Sequence, residues 1–87
     1  MKFTYTPRGV CSRRIDIDLE DGVVRSISFL GGCNGNLQGV SALCRGHRVE
    51  ELIPLLRGIN CGGKGTSCPD QLSLALTEAL AAEKASE

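Results

Sequence analysis

Five cysteines in 87 residues are the side chains with the most chemistry to offer, and their surroundings divide them into two kinds. Four sit where the chain is expected to turn: Gly9-Val10-Cys11-Ser12, Gly31-Gly32-Cys33-Asn34-Gly35, Asn60-Cys61-Gly62-Gly63 and Thr66-Ser67-Cys68-Pro69. Cys44 differs. It falls at i+7 from Leu37 and i+4 from Val40, on the apolar stripe of an expected helix, where a free Cys behaves as a small hydrophobe. The other four exceed what gap-filling at tight turns requires. Their thiolates are therefore candidates to converge on one centre, with Cys11, Cys33, Cys61 and Cys68 as metal ligands. Tetrahedral Zn²⁺ takes four Cys at about 2.3 Å, and glycines beside the ligands let the backbone bend toward a metal.

The spacing is not that of a zinc knuckle. Twenty-one residues separate Cys11 from Cys33, 27 separate Cys33 from Cys61, and six separate Cys61 from Cys68. The same four ligands suit an iron–sulfur cluster, so Zn²⁺ is the expectation and the cluster its alternative. Cys68 precedes or opens the last expected helix, where unpaired N–H groups and the dipole favour a thiolate. That suits a ligand, and equally a redox thiol with Cys61 as its resolving partner. A third reading leaves all four cysteines metal-free and structural.

Other signals are weaker. Gly58-x-x-x-x-Gly63-Lys64 matches most of a phosphate-binding loop, but Gly65 stands where a Ser or Thr must hold Mg²⁺, and no parallel strand precedes it. His47, between two expected helices, reads as a solvated loop histidine. Arg8, Arg13 and Arg14 form a basic group near Cys11, of the kind that usually lines a solvated surface.

These residues must be positioned by short elements. Phe3 and Tyr5 share one face of an expected first strand that Pro7 ends. Ile15, Ile17 and Leu19 alternate with Asp16, Asp18 and Glu20, the period-2 pattern of a strand with one wet face. A hairpin at Asp21-Gly22 follows. A two-residue turn there would oppose Asp16 to Ile27, so a three-residue Glu20-Asp21-Gly22 connection is expected, pairing Leu19 with Val23 and Ile15 with Ile27. Asn36 is expected to cap a helix carrying Leu37, Val40, Ser41 and Cys44, stopped by Gly46. Val49, Leu52, Ile53 and Leu56 make a second stripe, shortened or kinked by Pro54. Ser67 and Asp70 resemble a capping box for a last helix bearing Leu72, Ala75, Leu76, Ala79 and Leu80. The order predicts an α+β fold: a small antiparallel sheet of N-terminal strands and hairpin, with two to three helices packed on one face. One domain is expected over residues 3–82, with 83–87 a frayed tail.

Composition narrows the function classes. Ten Lys plus Arg balance ten Asp plus Glu, which gives no field to draw nucleic acid or an anionic membrane. No window approaches the roughly 18 apolar residues of a membrane span, and the N-terminal stretch has no apolar export core, so a cytosolic protein with reduced thiols is expected. Three aromatics in all leave little to bury. A core this small gains from a metal, or from a second copy in a homodimer.

The string Thr66-Ser67-Cys68-Pro69-Asp70-Gln71-Leu72 occurs with Tyr5-Thr6-Pro7-x-Gly9-Val10-Cys11-Ser12, Gly31-Gly32-Cys33-x-Gly35-Asn36-Leu37 and Gly58-Ile59-x-Cys61-Gly62. Together they resemble the TSCPD domain in its small stand-alone four-cysteine form, from about residue 3 to residue 80. The resemblance implies that Cys11, Cys33, Cys61 and Cys68 are the motif cysteines. It also implies kinship with the C-terminal domain of vitamin-B12-dependent ribonucleotide reductases, and small members are often named ribonucleoside-diphosphate reductases. A complete reductase needs a large barrel for its radical cysteine, substrate and cobalamin, which 87 residues cannot supply. Cobalamin is not expected on this chain, and the implied role is accessory, with a ribonucleotide reductase as partner.

Overall fold

The computed structural model describes residues 1–10, 12–31, 34–60 and 65–85, with only the backbone of Asn34 and Gly35. Three strands, β1 (Lys2–Tyr5), β2 (Ser12–Glu20) and β3 (Val23–Gly31), precede three helices, α1 (Asn34–Cys44), α2 (Val49–Leu56) and α3 (Cys68–Ala85). The strands form one antiparallel sheet in the order β1-β2-β3. This is the expected α+β fold. The alternation in β2 is realised as read: Ile15, Ile17 and Leu19 are at most 2% exposed, while Asp16, Asp18 and Glu20 face water on the other side.

The hairpin register departs from the expected one. Glu20 pairs with Val23 and Leu19 with Val24, so the connection is the two-residue Asp21-Gly22 turn. Both turn residues have positive φ, 51° and 77°, as a type I′ turn requires. A register shift between Asp18 and Leu19 then leaves Arg25 as an extra residue in β3, and beyond it Ile17 faces Ile27 and Ile15 faces Phe29. The bulge does, one step after the turn, what the longer turn was expected to do, returning apolar side chains to one face. Arg25 itself is exposed and pairs with Glu20 at 2.7 Å.

A second shift, between Ser12 and Arg14, has a consequence for the site. Ser12 and Ile15 are three apart, so an unbroken strand would turn them to opposite faces. With Arg13 as the extra residue, both are buried on the helix side.

On that face α3 packs across β2 and touches β1, α1 lies against β3, and α2 packs on α3. Leu72, Ala75, Leu76 and Ala79 of α3 meet Ile15, Ile17, Leu19, Val24 and Ile27 of the sheet, with Val49 and Leu52 of α2. Cys44 joins this core at 3% exposure, and burial pushes its thiol pKa up. Helix α1 starts at Asn34, two residues before the expected cap at Asn36, which lies in its first turn. Helix α2 ends two residues after Pro54, which removes an N–H from its last turn. Residues 83–85, read as tail, continue α3, and the Glu83 carboxylate accepts from the Gly22 amide at 2.8 Å. Among the described residues no helix is long and apolar enough to cross a membrane.

Candidate functional site

The site is built on the first turn of α3, where Ser67 is the N-cap and Cys68 the first helical residue. The Ser67 hydroxyl, 2% exposed with its residue, accepts from the Asp70 amide at 3.1 Å, and the Ser67 carbonyl accepts from the Gln71 amide at 2.8 Å. Only this half of the expected capping box forms. The Asp70 carboxylate turns outward instead, accepting from the Gly58 amide and from the Thr66 hydroxyl, both at 2.6 Å. These bonds, the Thr66 hydroxyl first, hold its carboxyl below the usual carboxylate range.

Gln71 completes the arrangement. Its side-chain oxygen accepts from the Arg8 amide at 3.0 Å and from the Tyr5 hydroxyl at 3.4 Å, and its nitrogen donates to Thr66 Oγ1 at 3.0 Å. At 6% exposure it has little water to fall back on. Asp70 and Gln71 thus bind segments 5–8, 58 and 66 to one helix end. Gly9 lies in the same contact: its φ is +72°, and a Cβ there would stand 3.3 Å from Thr66 Cγ2. The Asn60 side-chain oxygen accepts from the Gly65 amide at 2.8 Å.

Cys68 is partly exposed, and its sulfur lies 3.2 Å from the Ser12 hydroxyl. Ser12 in turn pairs with Gly31 at the end of β3. The immediate neighbour of Cys11 therefore touches Cys68, and a residue two before Cys33 pairs with that neighbour. Cys11, Cys33, Cys61 and Lys64 themselves lie outside the described residues. Among the described residues, no group of three or more His, Cys, Asp or Glu is arranged to hold a metal ion.

His47 is exposed in the link from α1 to α2, 3.6 Å from the Glu51 carboxylate. Arg14 is exposed and paired with Asp16 at 3.0 Å, and Arg13 is exposed as the bulged residue. Arg8 lines a groove with Thr4, Tyr5, Gln71, Leu74 and Glu78. Sequence reasoning missed Gln71 as the hub of the site. The signal was available in a Gln directly following the capping acid, on a helix whose next residue is core.

Fold and site together define a small α+β domain whose N-terminal segment and last interhelical loop are tied to the start of its final helix. The TSCPD domain family model matches residues 1–80, and the chain belongs to that family. Curated proteins and solved structures give no match to it.

Proposed function

We propose that this TSCPD domain is a metal-binding module in which Cys11, Cys33, Cys61 and Cys68 hold one Zn²⁺, and that it serves a ribonucleotide reductase as an accessory domain. The observation that supports the reading most is the 3.2 Å contact between Ser12 and Cys68, together with the pairing of Ser12 and Gly31. It brings chain next to two of the distant cysteines toward a third. Cys68 suits the role, being a partly exposed thiol in the first turn of α3 with a hydroxyl 3.2 Å from its sulfur. Four thiolates leave a tetrahedral Zn²⁺ no open position, so the ion would supply cross-linking and folding energy rather than catalysis. The reductase partnership rests on family kinship alone.

Elemental analysis of protein purified without added metal tests the reading. About one Zn per chain is expected, with loss of fold under a strong chelator. Iron with labile sulfide would replace Zn²⁺ by a cluster. Absence of metal, with a disulfide forming readily between Cys61 and Cys68, would contradict the reading in favour of a thiol redox protein.

A further inference from the structure

We infer that Ser12 is a positioning residue for the metal ligand Cys68, its hydroxyl donating a hydrogen bond to the thiolate sulfur; this rests on the metal reading above. While Cys68 keeps its thiol proton either atom can be the donor. A metal-bound thiolate carries no proton, so only the Ser12 hydroxyl can then donate, and the contact becomes a one-way, charge-assisted bond to a ligand atom.

Three features show that the fold aims this hydroxyl. The bulge at Arg13 turns Ser12 to the helix side of β2, where a regular strand would point it to solvent. Pairing with Gly31 fixes its backbone at the open end of the hairpin. The residue is 3% exposed, so water offers its hydroxyl little alternative to the Cys68 sulfur. On the other side, the Ser67 cap fixes the first turn that carries Cys68. Partners of this kind orient a ligand and tune its donor strength, and losing one typically costs about 10- to 100-fold in metal affinity.

Titration with Co²⁺ as a spectroscopic stand-in for Zn²⁺ tests the assignment, comparing the unaltered chain with Ser12→Ala and Ser12→Thr. Ser12→Ala is expected to weaken Co²⁺ binding about tenfold or more. It should also move the sulfur-to-cobalt charge-transfer band to lower energy, because an unbonded thiolate is the better electron donor. Ser12→Thr, which keeps the hydroxyl and suits a strand, should restore both. A Ser12→Ala chain with unchanged affinity and an unmoved band overturns the role of Ser12 while the metal centre stands. An unaltered chain that develops no thiolate-to-cobalt absorption overturns the metal centre and the role of Ser12 with it.

Discussion

The hydroxyl of Ser12 and the sulfur of Cys68 lie 3.2 Å apart across 56 residues of sequence, joining the start of β2 to the start of α3. The contact is one of several that converge on the same helix end. Those through Gln71 and Asp70 run to residues 5, 8, 58 and 66, so the heptapeptide from Thr66 to Leu72 works as a clasp for distant loops.

Gln71 should therefore matter more for stability than a helix polar residue ordinarily does. Gln71→Leu keeps the volume but takes the acceptor from the Arg8 amide and the Tyr5 hydroxyl, and leaves Thr66 only its bond to Asp70. A loss of about 1–3 kcal/mol is expected by chemical denaturation. Ser67→Ala, which removes the cap, should cost about 1 kcal/mol. A Gln71→Leu chain as stable as the parent would show that water replaces the side chain.

Gly9 is expected to resist substitution for two separable reasons. Gly9→Ala must hold a side chain at positive φ and press a Cβ to 3.3 Å from Thr66. Gly46→Ala, at φ +84° with nothing within 4 Å, meets only the first. The strain should cost each about 1–2 kcal/mol in thermal or chemical unfolding. Gly9→Ala should lose more than Gly46→Ala, by the cost of the Thr66 contact.

Tyr5 offers an optical probe, since the chain has one Tyr and no Trp. Burial first, and the Glu78 carboxylate second, raise its pKa against the opposing charge of Arg8. Titration at 295 nm should thus give a midpoint above the ordinary value of about 10. The folded state holds this proton more tightly than the unfolded chain. Its contribution to stability is present below about pH 10 and is lost as pH rises through the folded midpoint. Glu78→Gln should lower the midpoint part of the way, because burial remains. A midpoint at or below 10 would contradict the placement of Tyr5.

How far the sequence foretold all this varies from residue to residue. Ile15, Ile17, Leu19 and the stripe from Leu72 to Leu80 were legible because burial follows simple periods of two and 3.6. Cys44 could be told from the other cysteines on the same ground. The bulges at Arg13 and Arg25 were not legible, since a one-residue insertion leaves the apolar pattern readable in more than one register. Without the first bulge Ser12 would have counted as an outward residue, so its meeting with Cys68 had no signature in the chain. The Ser67 cap is legible in the sequence, but the bonds of Asp70 to Gly58 and Thr66, made in place of the other half of the capping box, depend on loop conformations that local propensity does not encode.

Cys44 should behave unlike the other four cysteines. Buried at 3% exposure, with a thiol pKa raised by desolvation, it should be alkylated only when the domain unfolds. Cys44→Ala should lower stability by the loss of packing and leave metal content unchanged. A fall in bound metal would place Cys44 within the centre.

Residue-resolved alkylation, mapped by mass spectrometry before and after chelation under native conditions, tests the four-cysteine centre most directly. Cys11, Cys33, Cys61 and Cys68 should be shielded together and become reactive together when the metal is withdrawn. Immediate labelling of Cys11 or Cys33 in protein that still carries its metal would contradict a centre shared by all four.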